Sequence, residues 1–241
     1  MEDHRSSEEI IRAFRLTGAD WELAQDLGIV WRRGGLEEFE IGKRYIASAD
    51  PLDRITGAAV LAQLGCEHPT FVEESVDLLI PLLDEQDESV AIAAGHALGH
   101  RGSPRAVAPL LRRIDHPNED VRFSLIAGLS GQDDPAAIDG LIRLTRDVDS
   151  DVRDWAAFGL GTLTALDSPE LRDALAALLD DPDEDVRGEA MVGLARRKDL
   201  RALPAIEREL RGKCRGTLCV EAAELLGHPS LLPLLPALQR R

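Results

Sequence analysis

The sequence predicts an all-α protein, a right-handed α-solenoid (superhelix) of about six helical hairpins with an N-terminal helical cap. Three observations carry this. A motif recurs: Asp147 to Gly161 reads D-V-D-S-D-V-R-D-W-A-A-F-G-L-G, Asp180 to Leu194 repeats it most plainly, and copies stand at His116 to Leu129, Asp84 to Gly99, Pro51 to Gly65 and Thr217 to Gly227. Its closing leucines, Leu64, Leu98, Leu129, Leu160, Leu194 and Leu226, are 34, 31, 31, 34 and 32 residues apart, a period that marks stacked supersecondary units. No segment shows the sustained alternation of a strand.

The elements follow in order. Residues 1–7 read as a polar, disordered tail and 8–35 as capping helices, the first capped by Ser7 and the second running from Trp21 to Trp31 with Trp21, Leu23, Ala24, Leu27 and Val30 as its apolar stripe. The first unit of a stack has one face without a neighbour and must cover it. Residues 36–241 form the array. Each repeat is two helices. The one carrying V-R has Asp87, Asn118, Asp149 or Asp183 three residues before the Val as N-cap. Gly99, Gly131, Gly161 and Gly227 are placed to end these helices in the left-handed conformation, and Ser103-Pro104, Asp134-Pro135, Ser168-Pro169 and His228-Pro229 start the next helix as cap plus N1 proline. At about 100° per residue, the Val column, the position four later and the closing Leu share one face, the core. The position before each Leu is mostly small (Ala97, Gly128, Gly159, Gly193), which suits a close helix approach.

The pattern D-P-D-x-D-V-R-x-x-A-x-x-G-L-G resembles the HEAT repeat, in the short subtype shared with phycobilisome lyases, over roughly residues 43–238. The resemblance implies that the V-R helix lines the concave side. It also implies that Arg122, Arg153 and Arg187 pair with Asp residues such as Asp147 and Asp181 in a structural ladder between repeats. The Arg is missing at Gly57, Ala91 and Cys219, so the ladder is expected to weaken at both ends.

Composition narrows function. With 44 acidic against 28 basic residues the formal charge is -16, which disfavours phosphate backbones and anionic lipid. No nucleic acid and no membrane partner is expected; a basic or apolar protein or peptide fits. Three cysteines imply no disulfide framework and a reducing compartment, and the polar start and the lack of a run of about 20 apolar residues point to the cytoplasm. A monomer is expected.

Two and six residues after the Val position stand Ile92 and His96, Phe123 and Ala127, Asp154 and Phe158, Gly188 and Val192, Val220 and Glu224. With Trp155, Glu189 and Glu221 alongside, they suggest a partner-binding groove of Ile92, His96, Phe123, Asp154, Trp155, Phe158, Glu189, Glu221 and Glu224, aromatic in the middle and acidic toward the C-terminus. The alternative is that these side chains are buried against adjacent repeats. His96 and His100 are four apart, but Gly99 is expected to end the helix between them and no third ligand follows, so no metal is assigned. Cys214 and Cys219 lack two further ligands. Arg196-Arg197-Lys198 is read as a solvated helix end.

Deoxyhypusine hydroxylase, an iron enzyme of similar repeats, carries His-Glu pairs where this chain has Gly188-Glu189 and Val220-Glu221. Phycobilin lyases share the repeat without a transferable catalytic motif, and HEAT-type alkylpurine DNA glycosylases use aromatics and an Asp, echoed by Asp154 and Trp155, in a basic groove. The reading is a non-catalytic protein–protein interaction scaffold without cofactor or catalytic residues. The alternatives are a lyase-like enzyme or chaperone acting on a bilin chromophore or modified side chain, and a DNA glycosylase.

Overall fold

A computed structural model describes residues 4–19, 25–212 and 217–235. Among them every regular element is helical. Two helices, α1 (Ser7–Leu16) and α2 (Leu27–Arg33), precede six hairpins: α3 (Leu36–Ile46) with α4 (Pro51–Ala62), α5 (Val72–Leu79) with α6 (Glu88–Arg101), α7 (Val107–Leu111) with α8 (Glu119–Leu129), α9 (Pro135–Leu144) with α10 (Ser150–Phe158), α11 (Pro169–Ala177) with α12 (Glu184–Arg196), and α13 (Leu203–Arg211) with α14 (Leu218–Leu226). The chain forms two compact units, Met1–Gly128 and Leu129–Arg241.

In the first unit the cap is built from polar chemistry at its edges. Ser6, rather than Ser7, caps α1, because only Ser6 has a glutamate three residues on: its hydroxyl accepts from the Glu9 backbone while the Glu9 carboxylate accepts from the Ser6 N–H. Ser7 is thereby freed to donate to the buried Glu38 of α3 at 2.6 Å. Ile10, Ile11 and Phe14 are buried, and Trp31 donates its indole N–H to the Ala59 carbonyl of α4 at 3.0 Å. Of the stripe expected between Trp21 and Trp31, Trp21, Leu23 and Ala24 lie outside the described residues.

Capping of the V-R helices is uniform. Asp87, Asn118, Asp149 and Asp183 each accept from a backbone N–H of the first turn, and Ser103, Asp134, Ser168 and His228 do the same for the segments that follow. The core column is complete in the four clearest repeats, with Val90, Val121, Val152 and Val186 at most 1% exposed.

Two of the expected stop glycines do something else. Gly131 and Gly227 take positive φ, 69° and 67°. Gly99, however, lies inside α6, which ends at Gly102 (φ 63°), and Gly161 lies in a π-helical turn, 159–163, that continues α10. A Cβ on Gly99 would stand 2.6 Å from the Ala127 Cβ, and one on Gly161 would stand 2.9 Å from the Gly193 Cα. Both are glycine because neighbouring helices touch there. The small residues before the leucines also sit at close approaches: a Cβ on Gly128 would meet Leu110 of its own hairpin, one on Gly159 would stand 2.5 Å from the Ser130 hydroxyl, and one on Gly193 would stand 2.7 Å from the Gly161 Cα and 2.8 Å from Leu175.

The arginine geometry corrects the register of the first repeat. Arg122 donates to the carbonyls six and five residues before it, His116 and Pro117, and Arg153 and Arg187 do likewise to Asp147 and Val148 and to Asp181 and Pro182. Arg54 makes the same clamp on Ser48 and Ala49, 3.0 Å each, and reaches Glu85 at 3.3 Å. It stands four residues after the cap Asp50, as Arg122 does after Asn118. The repeat therefore closes at Leu61, not Leu64, and its arginine is present rather than replaced by Gly57. In the second unit Arg153 grips Asp181 with two bonds, 2.8 and 2.9 Å, and Arg187 reaches Glu209 at 3.2 Å.

A second arginine set secures helix ends. Arg101, 7% exposed, donates to the Leu64 and Thr70 carbonyls, and Arg197 donates to those of Leu160, Gly161, Gly193 and Leu166. Arg197, whose side chain is 8% exposed, is thus a clamp and not a solvated helix end. Cys219 is buried and disulfide-bonded, which corrects the expectation from composition; a cysteine count carries no information about which thiols approach in space. Cys214 lies outside the described residues, and Cys66 is a free, exposed thiol.

Candidate functional site

The residues singled out for a groove fall in both units. In the first, Ile92 and His96 on α6 and Phe123 on α8 are partly exposed. His96 packs edge-on against Phe123, ring centroids 6.0 Å apart. Burial, with His100 nearby, holds the His96 imidazole below its ordinary pKa, so it is neutral at pH 7. Because α6 continues past Gly99, His96 and His100 do share one helix; among the described residues, no group of three or more His, Cys, Asp or Glu is placed to hold a metal.

The second unit holds a denser arrangement. On α10, Trp155 is 49% exposed and Phe158 meets it edge-on at 5.9 Å. Their helix is fixed by the Asp149 cap and by the Arg153 bonds to Asp181, whose side chains are 13% and 8% exposed. Next to Trp155, Asp154 turns its carboxyl inward: Oδ1 is buried and has no hydrogen-bond partner. Burial first, then the charges of Asp185, Asp183 and Asp151, push its pKa up to about 6. On α12, Glu189 is pushed up to about 7 by burial and by Asp154 and Glu221, against a smaller opposing pull from Arg196. Glu221 on α14 pairs with Arg196 at 3.0 Å, and Glu224 is exposed.

Not every position of the expected face is open. Gly188 and Val192 of α12 are buried, because α14 comes so close that a Cβ on Gly188 would stand 2.6 Å from Leu218. At α12 the positions two and six after the Val are buried, whereas Glu189 is partly exposed. Sequence reasoning did not single out Asp185 or Arg196 for this face. Asp185 lies one helical turn before Glu189, the i, i+4 spacing that puts two carboxyls on one face. Arg196 has no such signal, since its pairing with Glu221 depends on how two helices meet.

A cleft of about 390 Å³ between 161–167 and 196–198 is lined by Arg172, Arg196, Arg197 and Lys198. Its cations are committed within the protein: Arg172 to Asp167, Arg197 to backbone carbonyls, and Lys198 to the Leu225 carbonyl. It is framework rather than an open anion receptor.

Hairpins with capped helices, arginine clamps into the preceding loop and glycine contacts between helices define an all-α repeat protein. The chain belongs to the HEAT-repeat family, whose HEAT_2 profile (HEAT repeats) matches residues 41–130, 76–161 and 138–227. Among solved structures it is similar to YIBA_ECOLI from E. coli, at 26% identity over 95% of this chain and 85% of that one, TM-score 0.74. It is also similar to computationally designed armadillo repeat proteins for modular peptide recognition (18% identity, 76% and 98% covered, TM-score 0.52). The complex of CpcE and CpcF of phycocyanin lyase from Nostoc sp. PCC7120 matches at 18% identity, 97% and 96% covered, TM-score 0.50. The latter two share the fold alone. Comparison with curated protein sequences finds no match. Among the described residues no helix is long and apolar enough to cross a membrane.

Proposed function

We propose that this HEAT-repeat protein is a non-catalytic scaffold that binds a segment of a partner protein, basic or apolar in character, on the second unit's face around Trp155. The observation that carries the reading is Trp155 itself: a large aromatic, half exposed, braced by Phe158 on a helix held by a bidentate ion pair. A rigid aromatic of this kind offers much contact area for little lost conformational freedom, which is why such side chains dominate binding energies. The acids Glu189, Glu221 and Glu224 of the same unit favour a basic over an acidic partner. Peptide recognition by designed armadillo repeats, a related fold, supports the ligand class.

The test is affinity capture from the native host, followed by measured affinity of an identified partner for wild type and Trp155→Ala. Loss of about 2 kcal/mol or more with an unchanged melting temperature supports the reading. Equal binding by a folded variant places the interaction elsewhere on the protein.

A further inference from the structure

We propose that the disulfide of Cys219 is a redox-operated substitute for the arginine clamp of other repeats, so that a dithiol reductant releases the start of α14 while the rest of the protein stays folded. The chain has three cysteines and Cys66 is free, so the bond that holds Cys219 runs to Cys214. Leu218 precedes the closing Leu226 by the same eight residues that separate Val121 from Leu129, Val152 from Leu160 and Val186 from Leu194. Cys219 therefore occupies the arginine position. Arg54, Arg122, Arg153 and Arg187 each tie their helix to the backbone carbonyls six and five residues earlier. Cys214 is five residues before Cys219 in sequence. The sulfur bridge spans covalently what hydrogen bonds span elsewhere.

The start of α14 depends on this tie more than its counterparts do. Asp50, Asp87, Asn118, Asp149 and Asp183 cap α4, α6, α8, α10 and α12 through a side-chain oxygen, whereas Thr217 makes no side-chain cap on α14. A thiol is a weak donor, so a reduced Cys219, 3% exposed, does not replace the forked bonds of a guanidinium. Arg196 pairs with Glu221 in the same turn, but with side chains 40% and 43% exposed that pair holds weakly. Leu218, the first residue of α14, lies against α12, where a Cβ on Gly188 would stand 2.6 Å from it. Reduction loosens this turn and the seat of Leu218, while the last turn keeps its bond from Lys198 to the Leu225 carbonyl. A bridge across so few residues constrains the unfolded chain less than one closing a long loop, so both redox states fold and differ at one helix start. In the exchange, a reductant thiolate attacks one sulfur and expels the other as a thiolate. The reductant's second thiolate then displaces the mixed disulfide. Two electrons pass to the cysteines, whose thiolates take up the two protons that the dithiol gave up, and a disulfide oxidant reverses the sequence.

The experiment uses the full chain purified without reductant. Alkylation of the denatured protein should label Cys66 alone, and all three cysteines after dithiothreitol. Trypsin cuts after Lys213 and Arg215, between the bridged residues, so mass spectrometry should find two peptides joined by the bond. Hydrogen exchange of the first turns of α14 should then quicken by at least about tenfold on reduction, with α10 and α12 unchanged, and slow again with glutathione disulfide. Cys219→Ser, checked by its melt, should exchange like the reduced protein in either buffer; the wild-type comparison stands without it. Three labelled cysteines before reduction, or equal exchange in the two states, overturns the proposal. So does loss of the cooperative melt on reduction, which would make the bond a staple of the whole fold.

Discussion

At the scale of single residues, the acids of the second unit hold a liability that stability measurements can read. Glu189 has its folded pKa raised from 4.5 to about 7 and Asp154 from 3.8 to about 6, chiefly by burial. Between the ordinary and the raised values the folded chain holds more protons than the unfolded one, so stability falls as pH rises through this window. Glu189→Gln removes the charge while keeping the shape. It should melt above wild type at pH 8, by on the order of 1 kcal/mol once solvent screening of a partly exposed group is allowed for, and the gap should close near pH 5. A variant that melts below wild type at pH 8 would show the carboxylate to be favourably held. None of this electrostatics is written in the sequence. The letters place Glu189 and Glu221 at repeating positions, but the desolvation of Asp154 and the pairing of Arg196 with Glu221 depend on distances between helices.

At the scale of elements, much was legible, because capping is local chemistry. Asp87, Asn118, Asp149 and Asp183 announce helix starts by residue type and spacing alone, and each caps its helix. Helix ends were harder to read, since a glycine has two uses that look alike in sequence: positive φ, or room for a neighbour. Gly102 and Gly131 serve the first and Gly99 and Gly161 the second. The first repeat was misregistered for a related reason, as Leu61 and Leu64 are both fully buried and only the Asp50-to-Arg54 spacing distinguishes them. Gly161→Ala tests the close approach. Its Cβ would meet the Gly193 Cα, which cannot rotate away, so the variant should lose about 1 to 3 kcal/mol by denaturant unfolding. Gly102→Ala has open space around it and only its positive φ to oppose, so about 1 kcal/mol is expected there.

At the scale of the whole molecule, charge acts where contacts do not. The excess of 44 acidic over 28 basic residues gives the chain a negative field toward any basic partner, and a field of that sign speeds encounter more than it deepens affinity. Glu221→Lys probes that field at the rim of the proposed face. It reverses an exposed charge and also releases Arg196 from its 3.0 Å pairing, placing two cations where the free protein has a neutral pair. Association of a basic partner should slow by about tenfold at low salt and the slope of on-rate against ionic strength should flatten, with dissociation changed far less. Trp155→Ala should do the reverse, raising the off-rate and leaving the salt slope intact, because the anchor is lost and the field is not. If Glu221→Lys instead raised the off-rate at every salt concentration and left the on-rate alone, Glu221 would be a direct contact of the bound partner and not part of a steering rim.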